Sequence, residues 1–300
     1  MDVDAVTPTA TLVPASGPRL RRLAVIRLLR DPTGAVGTLF VALIVAMALG
    51  APWLSPRPPE AIDVTQRLAP PSAEHWMGTD QLGRDVFSRL VYGTRIALLV
   101  SLPAVIAGAV LGMLLGLIAG YFGGWVETGL IWLFDVVRSF PALLFAIAII
   151  ALVGPSLFMI VLIMALTRFP SYGRLIRAQT LKIREEEFVT ASQALGCSSL
   201  RVMLRHILPN AVAPLFIQAA MDVPVVITFE AGLSFLGLGV PPPTPSWGSI
   251  LREGYTYVRA TPWMILFGSG FLVVATLGFT FFAEALRDLF DVKIRNNGTT

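Results

Sequence analysis

The sequence predicts an all-α, polytopic membrane protein with six transmembrane helices, and two observations carry that prediction. Apolar residues fill 55% of the 300 positions and charged residues only 14%, with a mean hydropathy of +0.73. A soluble domain usually carries about 25% charged residues to coat its surface, so lipid must be the solvent for much of this one. The apolar residues also fall into six runs, the first of 20 residues from Gly34 to Trp53, the length that crosses a hydrocarbon core of ~30 Å, and the fourth a short one.

Residues 1–33 form a polar tail ending in a basic cluster of Arg19, Arg21, Arg22, Arg27 and Arg30. A membrane domain follows over residues 34–292, and its first span runs from Gly34 to Trp53. A polar, proline-bearing stretch, Ser55–Thr94, leads to a second span at Arg95–Tyr121. The third begins near Trp125, is bent by Pro141 and reaches Val153, where Gly154-Pro155 turns the chain into a fourth run from Ser156 to about Thr167. Residues 168–209 are polar with a helical pattern and no span. The fifth span covers about Ala211–Gly239, a proline-rich loop follows, and the sixth is about Trp263–Ala283, leaving residues 293–300 as a second tail.

Six crossings place both termini on one side, and basic residues choose the side. The tails and the loops on their side hold Arg19, Arg21, Arg22, Arg27, Arg30, Arg168, Arg174, Arg177, Lys182, Arg184, Arg201, Arg205, Arg287, Lys293 and Arg295. The other side holds only Arg57, Arg67, Arg84, Arg89, Arg95, Arg252 and Arg259. Positive residues collect in the cytoplasm, so both termini and the 168–209 loop are expected there. The net charge of +4 reflects this orientation rather than nucleic-acid binding, because no aromatic and basic surface pattern accompanies it.

Several chemistries are excluded. The single Cys197 rules out an internal disulfide, and two histidines, His75 and His206, are too few for an all-histidine metal site. The only lysines, Lys182 and Lys293, lack the glycine-rich phosphate loop. Gly232-Leu233-Ser234 opens like a nucleophile elbow without its closing glycine. The chain is therefore expected to be no enzyme and to bind no cofactor itself.

Three features remain. Gly108, Gly112, Gly116 and Gly120 share one helix face, a smooth groove for a close helix neighbour. Few ionisable residues fall within spans. Asp135 and Arg138, three apart, are expected to pair locally. Asp222 and Glu230 lie deep in the fifth span beside Pro214 and Pro224. Carboxylates in lipid are costly, so both should face protein or a water-filled cavity, and they are candidates to line a path. The third feature is the 168–209 loop. Glu185, Glu186 and Glu187 suit a helix N-terminus, after which Phe188, Ala191, Ser192 and Leu195 share a face. Gly196 suits a left-handed helix stop. Ser198 is placed to cap a second helix striped with Leu200, Met203, Leu204 and Ile207, and Pro209 to break the chain after Leu208. Two short amphipathic helices are expected to protrude from the membrane.

The segment Phe188–Gly196, continued to His206-Ile207-Leu208-Pro209-Asn210, resembles the coupling loop of ABC importer permeases: Glu-Ala-Ala, three residues, Gly, then a run ending in Leu-Pro. Thr190 stands where that pattern has glutamate and Ser192 where it has its second alanine. His75-Trp76-Met77-Gly78-Thr79-Asp80-Gln81-Leu82-Gly83-Arg84-Asp85, with Tyr92-Gly93, is similar to the segment before the second span of dipeptide, oligopeptide and nickel permeases. So is Gly232–Val240 with Trp247-Gly248. The resemblance covers about residues 30–292 and points to the C-type subunit of these importers. It implies a type I ABC importer permease fold. It also implies a second homologous permease, ATP-binding subunits carrying the ATP and Mg, and an extracytoplasmic substrate-binding protein. The coupling surface would comprise Phe188, Ala191, Ser192, Leu195, Gly196, Leu200, Leu204, Leu208 and Pro209. An ion-coupled secondary transporter for a small solute is the competing expectation, and it leaves the structured loop without a purpose.

Overall fold

A computed structural model of the protein describes residues 31–296. The basic cluster from Arg19 to Arg30 lies outside the described residues, as do the last four residues. Helix α1 (Pro32–Leu54) starts where Asp31 accepts a bond from the Gly34 amide (2.7 Å) and Pro32 occupies the first turn. At 1.5 Å per residue it is about 35 Å long, enough to span. Asp85 caps α2 (Val86–Phe122) in the same way through the Ser88 amide (2.8 Å). This helix therefore begins well before Arg95, and its first turns stand clear of the apolar run.

Helices α3 (Gly124–Ser139) and α4 (Ala142–Val153) stand where the third span is expected, bent by 81° around Phe140-Pro141. The break sits where proline disfavours a helical residue before it. Helix α5 (Leu157–Arg184) is longer than expected. The run of arginines that reads as loop is the far half of a continuous helix, because its charges are consumed by neighbours. Arg177 Nε donates to Glu127 of α3 (2.6 Å), and Arg184 reaches the terminal carbonyls of α2 at Gly120 and Tyr121. Pro170 lies inside this helix without ending it.

Short helices α6 (Glu187–Ala194) and α7 (Ser199–Val202) follow, then a π turn at Met203–Ile207 that runs directly into α8 (Leu208–Phe235). Helix α9 (Trp247–Thr256), unforeseen in the sequence, fills part of the proline-rich connection, and α10 (Trp263–Asn296) closes the bundle. Among the described residues five helices are long and apolar enough to cross a membrane, and the bent α3–α4 pair brings the number to six if the two halves form one span.

The glycine groove does what its spacing predicts. A Cβ on Gly112 would sit 2.5 Å from the Phe169 carbonyl oxygen, and one on Gly116 would sit 2.3 Å from that of Gly173. Gly108 and Gly120 meet Ala165 and Arg177 in the same register. Helices α2 and α5 thus run side by side at backbone distance, the small-residue packing of membrane helices.

Candidate functional site

At the face that holds both ends of the bundle, the loop between α5 and α8 forms a compact knob. Helix α6 ends in a Schellman motif: the Gly196 amide bonds the Gln193 carbonyl and the Cys197 amide bonds that of Ser192. Gly196 has φ of +80°, as its position in the sequence suggests. Ser192 Oγ turns back to the Phe188 carbonyl (2.7 Å), so its hydroxyl is satisfied within the helix.

Each short helix has two faces. Val189, Val202, Met203 and Ile207 point inward, joining Leu117, Tyr172, Ile176, Ile183, Ala211 and Leu215 in one apolar cluster. Phe188, Leu195, Leu200 and Leu204 point outward with relative exposures of 45%, 85%, 62% and 48%. Ala191 and Pro209 are exposed beside them, and Leu208 is half-buried. The expected stripe on the second helix is therefore split: Leu200 and Leu204 face solvent, while Met203 and Ile207 anchor the knob.

Two further expectations are corrected. Ser198 occupies the capping position but its side chain caps nothing. Pro209 does not break the chain; helix continues from Ser199 to Phe235. The π turn is the reason. Leu208 N–H donates to the Met203 carbonyl five residues back, so the ladder is shifted where Pro209 has no N–H to give.

Within the membrane, Asp222 of α8 is 4% exposed and Glu230 is 1% exposed, so both face protein. Arg168 Nη1 of α5 lies 3.5 Å from Asp222 Oδ1. The buried Tyr172 hydroxyl lies beside the Asp222 carboxylate, within its electrostatic reach. Glu230 accepts from Ser234 Oγ one turn on (2.6 Å). Asp135 and Arg138 do not pair with each other. Asp135 binds Arg174, and Arg138 donates to Ser171 Oγ (3.0 Å). Helix α5 lies along α3 and offers both a cross-helix partner, which outcompetes a contact three residues away on the same helix.

At the opposite face the structure joins two segments that lie far apart in the sequence. Arg84 Nε and Arg89 both bind Asp80, and both arginines reach Glu253 of α9, with Arg89 Nη1 2.5 Å from Glu253 Oε2. Burial pushes the Glu253 carboxyl up, but the hydrogen bonds and charge of Arg89, the charge of Arg84 and a bond from Gln81 outweigh it. They hold Glu253 below its ordinary value. Beneath this cluster, Trp247 Nε1 donates to the Leu90 carbonyl (3.0 Å) and Gly93 leaves room for the indole. His75 Nδ1 lies 2.9 Å from Asp85 Oδ1. Sequence reasoning counted Arg84 and Arg89 as loop charges, with Arg84 also inside the segment that carries the resemblance, and did not foresee their meeting Glu253. The available signal was the alternation of acid and base at Asp80, Arg84, Asp85 and Arg89.

Five apolar helices and a bent pair around a glycine-packed contact, with an apolar knob at one face and an ion-locked cap at the other, define a polytopic membrane protein. The chain belongs to the family of inner membrane components of binding-protein-dependent transport systems, whose model matches residues 112–296. A second model, the N-terminal transmembrane domain of oligopeptide transport permease C, matches residues 19–71. The chain is 38% identical over 270 residues to a dipeptide transport system permease of Alkalihalophilus pseudofirmus, covering 90% of this chain and 89% of that one. It is 34% identical over 272 residues to an oligopeptide transport system permease of Bacillus subtilis, covering 91% and 89%. A glutathione transport system permease of Escherichia coli is 36% identical over 270 residues, covering 90% and 89%. The fold is also that of a solved amino acid ABC transporter, with a TM-score of 0.50 at 17% identity over 70% of this chain and 93% of the other.

The protein is thus a multi-pass inner-membrane permease subunit of an ABC importer, a transport component rather than an enzyme, and not an ion-coupled secondary transporter. It works with ATPase and substrate-binding partners.

Proposed function

We propose that this chain is one half of the translocation path of a di- or oligopeptide importer, coupled to its ATPase subunits through the knob between α5 and α8. The single observation that carries the coupling is the exposed row Phe188, Leu195, Leu200 and Leu204. Large apolar side chains held out on two short, anchored helices are stabilised by a protein surface that covers them. Gly196 sets the bend between those helices, with Ala191, Ser192, Leu208 and Pro209 shaping its edges. In this reading residues 168–209 are the coupling region. Both termini are cytoplasmic, on the arginine-rich side, so residues 1–33 and 293–300 are cytoplasmic tails. ATP and Mg belong to the partner subunits. The second half of the path is a homologous permease, and the peptide class follows the relatives' substrates.

The path borders α5 and α8. Asp222 and Glu230 are covered in this conformation, so they would line the path only when α8 shifts against its neighbours. Such a shift is what ATP binding and hydrolysis on the partners would drive. The test is a mild-detergent pull-down of the chain co-expressed with its chromosomal neighbours. Recovery of a second permease and ATP-binding proteins is expected, with the ATPases lost when Leu195 and Leu200 are changed to serine. Recovery of the chain alone would overturn the reading.

A further inference from the structure

The knob and the bundle leave one polar cavity unexplained, a cleft of about 360 Å³ at the face opposite the knob. Its walls include Gln81, Arg84, Arg89, Arg252, Glu253 and Tyr257, with the Pro241–Thr244 turn as a rim. The charges in it do not balance. Arg84 and Arg89 are matched by Asp80 and Glu253. The Arg252 guanidinium lines the cleft, is exposed to solvent and has no carboxylate partner among the described residues, so it is open to an incoming anion. It rests against Gly237, where a Cβ would come within 2.3 Å of Arg252 Nη1, so the missing side chain makes room for it. Arg89 is 2% exposed and its terminal nitrogens are spent on Asp80 and Glu253, so Arg252 is the cation of the cleft left to meet a ligand.

From this imbalance we infer that the cleft binds the free α-carboxylate of a peptide substrate at the mouth of the path, with Arg252 as its principal ligand. The ligand class follows from the inventory of groups. One spare guanidinium matches one singly charged, planar anion, and the guanidinium fork fits a carboxylate with two parallel bonds. A peptide ammonium finds no free acid here, because both oxygens of Glu253 are taken by arginines. Every peptide carries an α-carboxylate whatever its side chains, so such a site would receive substrates without selecting their sequence. The inference rests on the peptide reading above.

The test uses the purified permease–ATPase complex without its binding protein, and measures displacement of radiolabelled alanyl-phenylalanine by the unlabelled acid and by its C-terminal amide. The acid should compete about tenfold or more better than the amide, the worth of a charged hydrogen-bonded pair. Arg252→Gln should erase that difference and Arg252→Lys should keep part of it. Gel filtration separates these effects from loss of the assembled complex, and the lysine variant carries the test if the glutamine variant fails to assemble. Equal competition by acid and amide, no measurable binding, or discrimination unchanged in Arg252→Gln would each overturn the site. If Arg252→Gln instead weakens capture of the binding protein while acid and amide still differ, the carboxylate belongs to that protein and the peptide site is wrong. Uptake of the same dipeptide into vesicles containing the full importer tests the peptide reading separately, because its absence would fail that reading whatever the cleft does.

Discussion

The loop between α5 and α8 and the cluster around Arg89 solve opposite problems at opposite ends of the bundle. The loop carries its large apolar side chains outward, with Leu195 at 85% exposure. The cluster carries its charges inward, with Asp80 at 0% and Arg89 at 2%. Burying charge is costly unless each group is paired, and here nearly every group is paired within the chain. Exposing apolar surface is costly unless something covers it, and none of the described residues covers this row. The cluster of Asp80, Arg84, Arg89 and Glu253 is matched within the chain, whereas the loop, in the function proposed for it, is complete only in an assembly. Substitutions at the two ends should therefore fail in different ways.

The largest effect is expected at the self-contained end. Glu253→Ala leaves Arg84 and Arg89 with a single carboxylate between them, an uncompensated buried charge that costs about 3–5 kcal/mol. The purified subunit should lose thermal stability and yield together, before any assay of transport. If Glu253→Ala melts like the parent, the cluster is an incidental contact and the comparison breaks. At the incomplete end, Leu200→Ser with Leu204→Ser should leave the melting of the isolated chain within about 0.5 kcal/mol, as exposed substitutions do. Its association with the ATPases should weaken by about 2 kcal/mol, the range of interface hot spots. Retention of the ATPases through washing, compared across variants, measures this.

Gly196→Ala sits between these cases. Its φ is +80°, but a Cβ there meets nothing within 4 Å, so the cost is conformational alone, about 1–2 kcal/mol. The end of α6 should fray, and coupled ATP hydrolysis should drop several-fold while binding of the ATPases persists. Faster hydrogen exchange at the Gly196 and Cys197 amides would report the fraying. Unchanged exchange would mean that the bend does not depend on glycine.

How much of this was legible beforehand differs along the same lines. The crossings follow from run length, and Gly108 to Gly120 gave the α2–α5 contact, because both signals are local and periodic. The bend at Pro141 and the left-handed Gly196 were also readable, since each depends on a single residue's backbone preference. The far half of α5 was not. Arg174, Arg177 and Arg184 look like loop until Asp135, Glu127 and the end of α2 are seen to absorb them. Helix α9 announces itself only through Ser246 and Ser249, which cap each other, and Glu253 meets Arg89 across 164 residues of sequence. Which side of a short helix faces inward was equally hidden. Met203 and Leu204 are both apolar neighbours, and only the π turn sets which one is buried.

The smallest effect expected is that of pH on the self-contained end, and its direction is fixed by Glu253. Asp80, Arg84, Arg89 and Gln81 surround this carboxyl, and the arginines hold it below its ordinary value of 4.5. A carboxyl depressed by folding contributes its stability fully above the unfolded value and loses it as pH falls through the folded one. The thermal midpoint of the subunit should thus show no Glu253-dependent change from pH 7 to pH 5, and the Glu253 contribution should fade only below about 4.5. Glu253→Gln, which cannot titrate, should remove that acid limb while lowering the midpoint at neutral pH. A Glu253-dependent fall between pH 7 and pH 5 would mean that burial, not the arginines, sets the state of this carboxyl. The cluster would then be an acid-sensitive joint rather than a lock.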